Sequence, residues 1–278
     1  MKIFTSKADL SNFLNGVKNS SLKIGLVPTM GALHKGHISL IDASKKVCDL
    51  TIATVFVNPT QFNNKEDLLK YPKPILCDLE MLEIAGCDIV FNPETNEMYQ
   101  DGEIWDYQLG DLNTVLEGKF RPGHYLGVTQ IVFKLFDLIK PDIAFFGQKD
   151  YQQFLVIQKM NMDMNLGIEL KACPIVREED GLAMSSRNVR LSKYERREAI
   201  TIYQSLVFIK ENFLHYTIEE LLLKAKSFYT HPSLSLDYLV ICDKHNLNEK
   251  LQNDKNNAIV LVACNVGDTR LIDNMILS

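Results

Sequence analysis

The chain has 278 residues, of which 46% are apolar and 23% charged, and its net charge is −5. That composition suits a globular protein with a sizeable core, one large domain plus one small one, and excludes a largely disordered chain. The acidic balance argues against a nucleic-acid binder, which would show a basic face, but leaves room for ATP held by a few local Lys and Arg.

Met1 to Lys7 carries no apolar signal core, and no apolar run approaches the roughly 20 residues that cross a bilayer. No membrane association is expected, and the expected compartment is the cytoplasm. The first strand is expected over Ile24 to Pro28. Leu40, Ile41, Ala43, Ser44 and Val47 then recur at helical spacing, predicting a helix from about His37 to Val47. The β-branched run Leu50 to Val57 reads as a strand buried on both faces. Strand, glycine-bearing loop, helix and strand make a βαβ unit.

The alternation continues. Helices near Leu76 to Ala85, Val128 to Leu138 and Tyr151 to Met160 precede strands at Asp88 to Phe91, Ile143 to Phe146 and Ile168 to Cys173. This predicts an α/β fold, a Rossmann-like mainly parallel sheet with helices on both sides. Ligands of such sheets bind beyond the carboxyl ends of the strands. After about Val176 the pattern changes. Helices at Lys193 to Phe213 and Ile218 to Tyr229 precede two strand-like runs, Leu236 to Cys242 and Ala258 to Cys264. We expect residues 1–175 to form the larger domain and residues 176–278 a smaller α+β C-terminal domain acting as a lid.

The six cysteines, Cys48, Cys77, Cys87, Cys173, Cys242 and Cys264, are scattered and form no CxxC pair. They read as free buried thiols, and zinc-ligand spacing is absent. No side chain is assigned to a metal.

Chemistry concentrates in short polar motifs. His34-Lys35-Gly36-His37 opens a helix directly after a strand, where backbone N–H groups and the helix dipole favour an anion. Two imidazoles three residues apart can donate to phosphoryl oxygens and stabilise charge as pyrophosphate leaves; the plainer reading is one capping and one surface histidine. Gly147-Gln148-Lys149-Asp150 closes a strand and places a Lys where phosphates would sit, or is an ordinary turn with Asp150 as a cap. Met184-Ser185-Ser186-Arg187 offers two hydroxyls and a guanidinium to phosphate, or is a polar capping loop. Asn58 and Gln61, in Asn58-Pro59-Thr60-Gln61, present amides to a carboxylate or hydroxyl, or form a plain turn. Arg121-Pro122-Gly123-His124 either guides an anion or is a structural loop.

Taken in order, Pro28 to His37, Phe56 to Phe62, Arg121 to His124, Phe146 to Gln153 and Asp180 to Asn188 resemble the pantothenate synthetase (pantoate–β-alanine ligase) family. The segment Gly267-Asp268-Thr269-Arg270-Leu271-Ile272-Asp273-Asn274 resembles that family's ending. The resemblance implies a homodimer that uses ATP and Mg2+ to join pantoate to β-alanine through pantoyl adenylate. Carried over by position, ATP would be held by Met30, Gly31, Ala32, Leu33, His34, Lys35, Gly36 and His37. Gly147, Gln148, Lys149, Asp150, Val176, Met184, Ser185, Ser186 and Arg187 would complete its contacts. His37 takes the family's proton-donor position, with His34 beside it, and we expect both to stabilise charge. Gln61 would meet pantoate and then β-alanine, Gln153 would meet pantoate, and Asn58 would assist. One departure is Tyr71-Pro72-Lys73-Pro74, where the family usually shows Tyr-Pro-Arg-Thr; Lys keeps the charge but loses the guanidinium fork. The competing readings are a plain nucleotidylyltransferase, which would not need Gln61 and Gln153, and a catalytically silent nucleotide-binding module.

Overall fold

The apolar run at Ile24 to Thr29 is buried almost throughout, which a strand achieves only with helices on both faces of its sheet. The computed structural model describes residues 1–18, 21–250 and 254–277. The chain divides into two compact units, Met1–Gly147 with Gln153–Cys173, and Gln148–Gln152 with Pro174–Ser278.

In the first unit the chain runs β1 (Lys2–Phe4), α1 (Lys7–Lys18), β2 (Ile24–Thr29), α2 (Lys35–Lys45) and β3 (Leu50–Val55). It continues through α3 (Lys65–Leu69), α4 (Ile75–Ile84), β4 (Ile89–Phe91), α5 (Thr95–Met98), α6 (Glu117–Phe120) and α7 (His124–Ile139). Then come β5 (Ile143–Gly147), α8 (Tyr151–Asp163) and β6 (Glu169–Cys173). Among the described residues six strands form one sheet in the order β1-β4-β3-β2-β5-β6, and every pairing is parallel. Alternate residues feed opposite faces. Leu26, Ile52, Ala144 and Phe146 join a core with α1, α7 and α8, whereas Val27, Ala53, Ile143 and Phe145 join one with α2 and α4. The expected α/β architecture is therefore present, with β2 between β3 and β5 at the centre.

The second unit holds α9 (Lys193–Glu198), α10 (Ile200–Asn212) and α11 (Ile218–Lys226). These pack on an antiparallel sheet of β7 (Leu234–Asp243), β8 (Ala258–Val266) and β9 (Thr269–Ile276). Two details differ from expectation. The single helix foreseen over Lys193 to Phe213 is split at Ala199, which ends α9 and begins α10. The α+β unit also has a third strand, β9, and the first unit gains β1, α1 and the short helices α3, α5 and α6.

Cys87, Cys173, Cys242 and Cys264 are buried, and burial pushes the Cys87 thiol up to about 11 and those of Cys242 and Cys264 up to about 12. Cys77 is exposed, contrary to the expectation of buried thiols, because it faces outward from α4. No helix of the described residues is long and apolar enough to cross a membrane.

Candidate active site

The three central strands each end in one of the polar motifs. β2 leads into Met30 to His37, β3 into Asn58 to Gln61, and β5 into Gly147 and, after the turn, Gln153. In a parallel sheet all three exits lie on the carboxyl edge, where such folds bind ligands.

The loop after β2 is tightly built. Gly31 has φ +78 and Ala32 φ +50, both left-handed. The Asp78 carboxylate, on α4 and only 1% exposed, accepts from Ala32 N at 2.8 Å and from Leu33 N at 2.7 Å. Thr29 Oγ1 accepts from Gly31 N at 3.2 Å and donates to Thr54 O at 2.6 Å, tying the loop to β3.

His34 is the N-cap of α2. Its Nδ1 accepts from Gly36 N at 3.1 Å, and His37 Nδ1 accepts from His34 N at 3.3 Å, so the histidines form a reciprocal capping box. Their ring centroids are 4.1 Å apart. A ring nitrogen that accepts from a main-chain N–H carries no proton, so each neutral ring bears its proton on Nε2. The cap therefore turns both histidines into Nε2–H donors at a helix N-terminus, and Lys35 beside them is exposed.

Asn58 and Gln61 flank a 3-10 turn at Pro59–Gln61 and are 1% and 7% exposed. Asn58 Nδ2 donates to Gln61 Oε1 at 3.1 Å and to Gly127 O at 3.0 Å. Gln61 Nε2 donates to Met30 Sδ at 2.8 Å, a weak acceptor for so buried an amide. This contact joins the Gln61 turn to the loop after β2. Tyr99 Oη donates to Asn58 Oδ1 at 2.6 Å, and burial pushes its phenol up to about 12, so it keeps that proton at working pH. His124, foreseen as part of an anion-guiding or structural loop, is 5% exposed, and its Nδ1 lies 2.7 Å from Gln61 O. It supports the Gln61 turn from α7. Gln153 is half-buried in the first turn of α8.

The remaining motif residues lie in the second unit. Gln148, Lys149 and Asp150 form a 3-10 turn after β5. Val176 and Met184 are paired, with Met184 N donating to Val176 O at 3.0 Å, at the open end of a hairpin closed at Gly181. Ser185 Oγ accepts from Arg187 N at 3.2 Å, curling Ser185, Ser186 and Arg187 into a compact turn. Asn188 Nδ2 holds Ala183 O at 3.1 Å, while its buried Oδ1 has no hydrogen-bond partner.

The sequence model of the pantoate-beta-alanine ligase family matches residues 2–276. The chain belongs to the pantoate–β-alanine ligase family. It is 45% identical over 278 residues to the pantothenate synthetase of Bacteroides fragilis strain YCH46, with 99% of this chain and 98% of that one covered. The pantothenate synthetase of Aquifex aeolicus is 44% identical over 276 residues, covering 98% and 97%. The crystal structure of pantothenate synthetase from Thermus thermophilus superposes with a TM-score of 0.93 at 36% identity, covering 100% and 99%. That of pantoate-beta-alanine ligase from Francisella tularensis, complexed with beta-gamma ATP and beta-alanine, gives 0.83 at 35% identity, covering 100% and 98%.

Two side chains of this site escaped the sequence reading. Asp78 sits between Ile75 and Leu82 on the core-facing side of α4. An acid on an apolar stripe was the available signal, since a buried charge must have partners. Tyr99 gave no signal, because its bond to Asn58 spans 41 residues. At the departure from the family's Tyr-Pro-Arg-Thr, Tyr71 is buried edge-on against Phe62, and Pro74 stands as the N-cap of α4 with no side-chain cap bond.

Proposed function

We propose that the chain condenses pantoate with β-alanine at the expense of ATP, giving pantothenate, AMP and pyrophosphate. A pantoate carboxylate oxygen attacks the α-phosphorus of ATP. The bond to the bridging oxygen breaks, and pyrophosphate leaves with its electron pair. The β-alanine amine then attacks the acyl carbon of pantoyl adenylate, loses a proton, and expels AMP. The observation that carries this reading is the buried Gln61 amide bonded to Met30 Sδ, an acid-reading group joined to the nucleotide loop in a chain of this family.

The residues divide the work. His34 and His37 offer Nε2–H donors to phosphoryl oxygens, so their role is to stabilise charge, because a neutral ring that gave up that proton would become an anion. Met30 to Leu33, Lys35 and Gly36 form the loop around the nucleotide, and Asp78 sets its shape. Gly147, Gln148, Asp150, Val176, Met184, Ser185 and Ser186 are further ATP contacts, and Lys149 and Arg187 offset phosphate charge that would otherwise repel the attacking carboxylate. Gln61 and Gln153 read pantoate, and Asn58 holds Gln61 in place. Among the described residues no three His, Cys, Asp or Glu side chains form a metal cage. The triphosphate is itself the oxygen set that Mg2+ prefers, which fits an ion carried on the nucleotide. Bound there, Mg2+ would neutralise phosphate charge and polarise the reacting phosphoryl group. The resemblance also points to a cytoplasmic homodimer, which light scattering of the purified protein would register as twice the chain mass.

Incubation with ATP, Mg2+ and pantoate, with and without β-alanine, tests the reaction. AMP release is expected only when both acids are present, and AMP release without pantoate would sink the assignment. In the same assay Gln61→Ala is expected to impair pantoate use by on the order of tenfold or more, the scale of one lost buried hydrogen bond, with ATP affinity little changed. Unchanged pantoate use would remove Gln61 from the substrate site.

A further inference from the structure

The family-like ending Gly267 to Asn274 has no part in the chemistry above. Its last two residues, Asp273 and Asn274 on β9, are buried polar side chains, 2% and 1% exposed. Such groups require hydrogen-bond partners, and here the partners belong to segments read as ATP contacts.

Asn274 serves the turn after β5. Its Nδ2 donates to Gln148 O at 2.9 Å and to Lys149 O at 3.0 Å, and its Oδ1 accepts from Gln148 Nε2 at 3.1 Å. Both amide protons are thus committed to the main chain of two consecutive residues. Asp273 serves the hairpin. Arg177 Nη1 and Nη2 reach its two carboxylate oxygens at 2.6 and 3.0 Å, a bidentate fork. The same guanidinium donates to Gly181 O at 2.9 Å and lies over the Tyr203 ring, 4.6 Å from its centroid. Arg177 also pairs with Ala183 across the hairpin, one step inside the Val176–Met184 pair. Burial pushes the Asp273 carboxyl up, and the Arg177 fork opposes that push. Finally, the main-chain N–H of Asn274 donates to Asp273 Oδ1 at 2.7 Å, so the carboxylate is also held by the backbone of its neighbour.

We propose that Asp273 and Asn274 are positioning residues for ATP, which hold the Gln148–Lys149 turn and the Val176–Met184 hairpin in one fixed relation. Lys149 and, three residues past the hairpin, Arg187 are then presented together. This deepens the proposed function and rests on its assignment of these segments to ATP. A stitch that served stability alone would lower the melting temperature without singling out one substrate.

The test uses the purified full chain with ATP, pantoate and β-alanine varied in turn, for Asn274→Ala, Asn274→Ser, Asp273→Asn, Lys149→Ala and the double variant Lys149→Ala with Asn274→Ala. Asn274→Ala is expected to raise the KM for ATP on the order of tenfold, the scale of a buried hydrogen bond left unmade, and to leave the KM for β-alanine nearly unchanged. Asn274→Ser keeps one donor and should fall between it and the parent; it carries the test if Asn274→Ala does not fold. Asp273→Asn leaves the guanidinium without its charge partner and should also raise the KM for ATP. Because Asn274 acts through the Lys149 turn, the double variant should lose less than the product of the two single losses. If Lys149→Ala weakens ATP binding while Asn274→Ala and Asn274→Ser leave it unchanged, or if the losses multiply in full, the positioning role is overturned. If Lys149→Ala itself leaves the KM for ATP unchanged, the assignment of this turn to ATP fails, and the positioning role with it.

Discussion

A carboxylate that is 1% exposed survives only where other groups replace its water, and at Asp78 the replacement is the main chain of the loop after β2. The acid holds Ala32 in a left-handed conformation that an alanine seldom adopts. Asp78→Ala would strand two N–H groups, each costing about 1–3 kcal/mol if it stays buried. We expect a lower urea midpoint and weaker ATP binding, with Asp78→Asn, which keeps one acceptor oxygen, in between. Equal ATP affinity in all three proteins would show that the loop keeps its shape without Asp78. His34, His37 and Gln61 were readable because each follows an apolar strand at short range. Asp78 and Tyr99 were not, because their partners, Leu33 and Asn58, lie 45 and 41 residues away.

Among the elements, α7 does more than cover the sheet. It passes so close to the 3-10 turn at Pro59–Gln61 that a Cβ at Gly127 would lie 2.4 Å from the Thr60 carbonyl oxygen. That close approach lets Gly127 O accept from Asn58 and His124 reach Gln61 O. Gly127→Ala must push the turn away or unseat the helix, with overpacking of this kind costing about 1–3 kcal/mol. The expected signature is a larger KM for pantoate with smaller change in that for ATP; parallel changes in both would mean that the turn does not act alone. The helix boundary at Ala199 and the missed strand β9 show where periodicity runs out. Ser192 and Glu195 form a capping box that starts α9, a feature local to one end that leaves no trace at the break beyond Glu198. In β9, Asp273 and Asn274 interrupt the apolar run that would have announced a buried strand. The polar pair that hid the strand is the pair that reaches the Gln148 turn and Arg177.

At the scale of the molecule, the order of strands and helices in the first unit was legible because β2, β3 and β5 are buried on both faces and therefore mostly apolar or β-branched. The destination of residues 148–152 was not legible, since a short polar turn carries no pattern that says which core it joins. Those residues belong with Pro174–Ser278, although the chain returns to the first unit at Gln153. Neither unit is therefore one uninterrupted stretch of sequence. A cut between Cys173 and Pro174 looks natural on a linear map, yet it would take Gln148 and Lys149 from the Asn274 amide and Tyr151 Oη from the Lys244 carbonyl. A fragment of residues 174–278 should accordingly melt at lower temperature than the same residues in the whole chain, and a peptide spanning 147–153 should raise that temperature when added. A fragment as stable as the parent, indifferent to the peptide, would show the insertion to be dispensable. The apparent seam is therefore a poor place for recombination: one recipient would receive a second unit without its inserted turn, and the other would carry that turn without its partners.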